Sequence, residues 1–149
     1  MMKEQFEGYT YVDGGVCAAQ GFRANGLNCG LNKDKNKNDL ALVVSDVECN
    51  AAAVYTTNKV KGAPILVTKK HLASTNGKAQ AVIANSKNAN TCNADGEEIA
   101  EKVSNLLADA VGIKPEEVIV ASTGVIGQRL SVKPFEDYMQ KLVDGMTTD

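Results

Sequence analysis

The sequence predicts a mixed fold in which strands and helices share one modest core. Three observations carry that reading: glycine-punctuated apolar pieces in the first thirty residues, short runs rich in Val, Ile, Tyr and Thr between residues 39 and 84, and a change to helical spacing from Asp95 onward. A length of 149 residues suits a single domain spanning residues 1–149 and argues against two.

Gly14, Gly15, Gly21, Gly26 and Gly30 interrupt short apolar pieces such as Val16-Cys17-Ala18-Ala19 and Leu27-Asn28-Cys29, a pattern of short strands and tight turns. Residues 32–38 have no apolar member and separate two hydrophobic runs, so they read as an exposed, solvated hairpin connection. Strands are expected at 39–45, 51–57, 63–68 and 79–84, with Pro64 at the start of its strand, where a missing donor matters least.

Beyond them Ile99, Val103, Leu106, Leu107 and Ala110 recur at helical spacing, with Glu and Lys opposite. Asp95 is placed to cap this helix with Glu98 three residues on, and Gly112 to end it. Residues 115–117 turn the chain into a buried strand at 118–121. A second helix starting at Pro134 buries Phe135, Tyr138, Met139, Leu142 and Val143.

Composition narrows the function. Apolar residues make up 44% and charged residues 23%, ordinary for a soluble globular chain, whereas aromatics are only 5% with no Trp. Net charge is -2 with scattered Lys and Arg, so neither nucleic acid nor an anionic membrane is the expected partner. A small-molecule substrate fits better. The first residues carry acids and no apolar run, unlike a secretory signal, and no stretch reaches the about 20 apolar residues of a membrane span. Cys17, Cys29, Cys49 and Cys92 show no CxxC spacing, and His71 is the sole imidazole. No metal site is expected, and four unpaired cysteines suit a reducing cytosol.

Two segments crowd polar residues at the exit of a strand, where scaffolds present reactive groups. The first is Asn85-Ser86-Lys87-Asn88-Ala89-Asn90-Thr91-Cys92-Asn93, which reads either as functional or as a loop of Asx turns leading into the helix at Asp95. The second is Ala121-Ser122-Thr123-Gly124-Val125-Ile126-Gly127, in which the Thr123 hydroxyl stands beside a bare backbone N–H. Two such donors converging on one point stabilise a developing oxyanion, each worth about 3–4 kcal/mol in a serine protease. The alternative is an ordinary glycine turn after a strand. No phosphate-binding glycine pattern occurs. His71, in Lys69-Lys70-His71-Leu72, has no identifiable Ser or Cys partner and is expected at the surface, so an acyl-transfer reading needs another base. An N-terminal Ser, Thr or Cys, whose own α-amine takes the proton, is the main alternative.

Several runs resemble, in order, the ornithine acetyltransferases of the ArgJ family: Gly14-Gly15-Val16, residues 21–30, residues 37–46, Ala52-Ala53-Val54-Tyr55-Thr56-Thr57-Asn58, Ala63-Pro64, Asn85-Ser86 with Asn88-Ala89-Asn90, and residues 122–127. The resemblance implies a layered α/β/β/α-like sandwich of the α+β kind, incomplete in this chain. It implies arginine biosynthesis in the cytoplasm by an N-terminal-nucleophile enzyme that cleaves itself into α and β segments. The new N-terminal threonine of β passes an acetyl group from N2-acetyl-L-ornithine to L-glutamate, without a cofactor, although some members accept acetyl-CoA.

On that resemblance this chain is the front of an α segment, and its partners are the β segment of the same precursor in an α2β2 assembly. Thr123 and Gly124 fall on the oxyanion-hole positions, the nucleophile lies outside this chain, and the chain alone is inactive. The family has Thr-Ala-Pro-Lys where Cys17-Ala18-Ala19-Gln20 stands, and commonly glycine at Lys87. Met146-Thr147-Thr148-Asp149 resembles a substrate-contact motif but follows residues 122–124 too closely, so no role is carried to Thr148. A related aminopeptidase and a non-catalytic binding scaffold remain open readings.

Overall fold

A computed structural model describes residues 7–148. Four strands form one sheet in the order β1-β2-β3-β4: β1 (Phe22–Leu27), β2 (Leu40–Asn50), β3 (Lys78–Asn85) and β4 (Val118–Ser122). β1 and β2 make the antiparallel hairpin expected around residues 32–38, β2 and β3 are also antiparallel, and β3 and β4 run parallel. A parallel neighbour needs a crossover, and helix α2 (Gly96–Val111) provides it between β3 and β4. Helices α1 (Ala63–Ser74) and α3 (Lys133–Asp144) complete the layer.

Alternation along the strands decides which face the helices cover. Leu40, Leu42 and Val44 of β2, Ala79, Ala81 and Ile83 of β3, and Val118 and Val120 of β4 are buried. They meet Val67 of α1, Ile99, Val103 and Leu107 of α2, and Phe135, Met139 and Leu142 of α3 in one continuous core. The other face of the sheet shows Ala41, Val43, Val82, Ile119 and Ala121, each half-buried or exposed. It carries an apolar hollow of about 180 Å³ lined by Phe22, Val43, Val82 and Ile119.

The α2 and α3 readings hold in their buried faces, and Gly112 ends α2 in the left-handed conformation at φ 82. Two local expectations fail. Residues 63–68, read as a strand, begin α1: Pro64 suits a helix's first turn as well as a strand's start, and Val67, Thr68 and His71 line up on the buried side. Residues 51–57, also read as a strand, form no element. β-rich composition needs a ladder partner, and Val54 is fully exposed. Residues 15–18 make a 3-10 turn within the glycine-punctuated opening.

Candidate functional site

One row of paired residues crosses the sheet at one end: Leu27 with Leu40, Leu40 with Asn85, and Asn85 with Ser122. From this row leave the 28–39 hairpin and the two polar segments that follow β3 and β4. The segments nominated separately in the sequence therefore meet. Thr123 N–H donates to Asn85 O (3.0 Å), Val125 N–H to Lys87 O (3.1 Å), Ala89 N–H to Val125 O (3.0 Å) and Gly127 N–H to Thr91 O (2.9 Å). They interlock backbone to backbone.

Gly124 sits at the crossing. Its φ is +136, and a Cβ there would lie 2.2 Å from the Lys87 carbonyl carbon and 2.4 Å from the Asn88 nitrogen, so glycine is required on two counts. Lys87 adopts φ 76, a left-handed conformation that glycine takes without cost. Its identity here is thus the costlier choice for that backbone.

Asparagines hold the 85–93 loop. Asn85 Nδ2 donates to Ser86 O and Asn88 O (both 3.0 Å), Asn88 Nδ2 to Gln128 O (2.8 Å), Asn90 Nδ2 to Gly96 O (2.8 Å) and Asn93 Nδ2 to Gln128 O (3.1 Å). Asn88 Oδ1 accepts the Asn90 N–H (2.8 Å), an Asx turn. Most of this segment's polar atoms are therefore engaged in holding its own shape.

The Thr123 hydroxyl and the Gly124 N–H are different. Both residues are exposed, and among the described residues neither donor has a hydrogen-bond partner. Two adjacent unengaged donors on a loop pinned at both flanks are equipment for receiving an anionic oxygen. A cleft of about 540 Å³, lined by Lys33, Lys87, Asn88, Gln128 and Arg129, opens among the three loops, and neither Thr123 nor Gly124 lines it.

Asp39 braces the hairpin side. Its carboxylate accepts the Cys29 N–H (2.7 Å) and the Asn32 N–H (2.5 Å). Burial alone would raise its carboxyl, but these N–H groups outweigh that and hold it below the usual carboxylate range. Cys29 beside it is pushed up to about 12, first by burial and then by its bond to Asp39, so it is an inert thiol rather than a nucleophile.

Two sequence expectations are corrected here. His71 is buried rather than superficial, at 2% exposure. On the inner side of α1 its Nδ1 meets Val118 O and its Nε2 meets Glu101 Oε2 (both 3.0 Å), so both ring nitrogens are engaged inside the fold rather than with a Ser, Thr or Cys side chain. Asp95 stands at the α2 N-cap but makes no capping bond; its carboxylate pairs with Arg129 instead, tying the crossover helix to the segment after β4. Sequence reasoning also missed the Ser122–Asn85 side-chain bond, which only strand register reveals. Among the described residues the four cysteines are free, no group of three or more His, Cys, Asp or Glu is gathered for a metal ion, and no helix is long and apolar enough to cross a membrane.

Residues 23–149 match the ArgJ family. The chain belongs to that family. It is 44% identical over 140 residues to the arginine biosynthesis bifunctional protein ArgJ of Gloeobacter violaceus, covering 93% of this chain and 34% of that protein. It is 48% identical over 112 residues to ArgJ 1 of Clostridium acetobutylicum, covering 74% of this chain and 27% of that protein. This ArgJ-family chain thus spans about a third of the length of the curated relatives it matches. Among solved structures, the bifunctional protein ArgJ of Bacillus halodurans superposes with TM-score 0.83 at 36% identity, covering 90% of this chain and 68% of that one. The ornithine acetyltransferase of Mycobacterium tuberculosis, solved with ornithine, gives TM-score 0.83 at 35% identity, covering 90% and 72%.

Proposed function

We propose that this ArgJ-family chain supplies the oxyanion hole of an enzyme that moves an acetyl group from N2-acetyl-L-ornithine to L-glutamate. The observation that carries the proposal is the pair of unengaged, exposed donors at Thr123 and Gly124 on a loop held on both sides by the Thr123, Val125 and Gly127 backbone bonds. The likeness to an ornithine acetyltransferase solved with ornithine supports the substrate class.

In this reading a nucleophilic threonine outside this chain, at the N-terminus of a β segment, attacks the acetyl carbonyl while its own α-amine takes the hydroxyl proton. The carbonyl oxygen gains negative charge as the tetrahedral intermediate forms. The Thr123 O–H and Gly124 N–H donate to that oxygen, and collapse expels ornithine with a proton on its amine. Attack by the glutamate amine on the acetyl-threonine ester repeats the sequence and places charge on the same oxygen. One pair of donors serves both halves of the reaction.

No cofactor enters this scheme; acetyl-CoA as an alternative donor is a separate assay. The half-buried apolar face of the sheet suits a second sheet of the layered sandwich, contributed by further sequence of the precursor within a cytoplasmic α2β2 assembly. Among the described residues no Ser, Thr or Cys side chain is hydrogen-bonded to an imidazole or amine base, so residues 1–149 alone are inactive in this account.

Thr123→Val tests the reading in the complete enzyme, since it deletes one donor at nearly constant shape. Acetyl transfer should fall about 10²-fold or more. Turnover within twofold of wild type, on a soluble protein, removes Thr123 from the site.

A further inference from the structure

The two donors are useful only if they are aimed before charge develops, because donors that must be ordered in the transition state give back part of what they contribute. What aims them is therefore a separate question from what they do. β3 and β4 end side by side in register at Asn85 and Ser122, and beyond a strand end the ladder no longer fixes the chain. Asn85 extends the fixation. Its carbonyl accepts the Thr123 N–H (3.0 Å), and its Oδ1 accepts the Ser122 hydroxyl at 2.6 Å. Its amide hydrogens reach Ser86 O and Asn88 O (both 3.0 Å), shaping the strand of backbone on which Gly124 lies.

Asn85 is 5% exposed, so these bonds are made in a poorly solvated place where an unmade one is costly. One residue thus grips the oxyanion loop from its own backbone and side chain, and also shapes the surface beneath it. We infer that Asn85, acting through Ser122, is the positioning residue of this site: the Ser122–Asn85 bond presets the direction of the Thr123 and Gly124 donors. The inference rests on the oxyanion reading of Thr123 and Gly124, and it assigns Asn85 and Ser122 no contact with substrate.

A preset direction has a kinetic signature that a purely structural bond lacks. Loosening the loop leaves ground-state binding alone and weakens donors that matter when charge develops, so kcat falls and KM holds. Ser122→Ala removes the hydroxyl, and Ser122→Thr retains it in a residue suited to a strand. In the complete enzyme Ser122→Ala should lower kcat about tenfold with KM within twofold, and Ser122→Thr should recover most of the loss.

Asn85→Ser approaches the same bond from the other side and should reproduce the kcat effect. Amide hydrogen exchange at Thr123 should quicken in Ser122→Ala and not in Ser122→Thr. Thr123→Val measured alongside keeps the two ideas apart. If Thr123→Val is impaired but Ser122→Ala and Asn85→Ser turn over within twofold of wild type, the donors stand and the positioning role is overturned. If Thr123→Val is itself unimpaired, the oxyanion reading falls and this inference with it. A rise in KM at unchanged kcat in Ser122→Ala also overturns it.

Discussion

The loop crossing at Gly124 and the packing around His71 treat polar groups in opposite ways. Around His71 both ring nitrogens are engaged, and Glu101 contacts both His71 and Lys70 Nζ (2.7 Å), so α1, α2 and β4 are tied together. At the crossing, backbone and asparagine bonds fix every flank, yet the Thr123 hydroxyl and Gly124 N–H stay unengaged and exposed. The sole imidazole, the residue type most associated with catalysis, is a structural fastening here. The candidate chemistry rests on a hydroxyl and a peptide N–H. Reactivity follows from what remains unengaged on a rigid support rather than from residue type.

The sharpest way to break that contrast is Gly124→Ala. A Cβ has no room against Lys87 and Asn88, and the φ of +136 is itself unfavourable for alanine. The crossing should lose about 3–5 kcal/mol, combining backbone strain and overpacking. Urea denaturation combined with turnover should show both falling; a stable, active Gly124→Ala protein would mean the two segments are not pressed together.

His71→Ala should cost about 2–3 kcal/mol, because it removes the side-chain partner of Val118 O and of Glu101 Oε2 and opens a hole beneath α1. Its kcat, measured below the lowered melting point, should stay within twofold of wild type. A large kcat loss in a folded His71→Ala protein would erase the distinction between fastening and site.

Acid separates the regions more gently. Burial would raise the carboxyls of both Asp39 and Glu101, yet hydrogen bonds hold both below the usual range, from the Asn32 and Cys29 N–H groups for Asp39 and from Lys70 and His71 for Glu101. The folded state then binds fewer protons than the unfolded chain. This stabilisation is present above the unfolded carboxyl pKa of about 4 and is lost as pH falls through the folded values. Asp39→Asn should cost about 1–2 kcal/mol at pH 7 and flatten the acid limb of the stability profile. An unchanged acid limb would show that Asp39 is not the brace of the hairpin.

The smallest expected effect is a gain. Lys87→Gly relieves the left-handed backbone at φ 76 and should add about 0.5–1 kcal/mol, net of the greater freedom of glycine in the unfolded chain. A loss of stability would imply that the Lys87 side chain contributes packing that offsets its backbone.

Much of the frame was legible because the core repeats simple periods. The α2 and α3 faces follow from spacing of about 3.6 residues with Gly112 as a stop, and the β2, β3 and β4 runs from short stretches rich in Val and Ile. Residues 63–68 were not legible, since Pro64 opens a helix or a strand with equal ease and the face that chooses between them, Val67, Thr68 and His71, is defined only by packing. His71 was misplaced for the same reason: flanking lysines suggest a surface, whereas burial follows from the position of β4. At the site, the identities of Thr123 and Gly124 were visible in the sequence. Their support was not, because the Asn85 and Ser122 contact spans 37 positions and depends on parallel register.

The account turns on where the acyl oxygen sits, and one measurement addresses it directly. A crystal structure of the complete enzyme, trapped as its acetyl-threonine ester or with a tetrahedral analogue, should place that oxygen about 2.7–3.1 Å from both Thr123 Oγ1 and the Gly124 nitrogen. Finding it held by other donors, with the Thr123 hydroxyl turned away, would contradict the central claim.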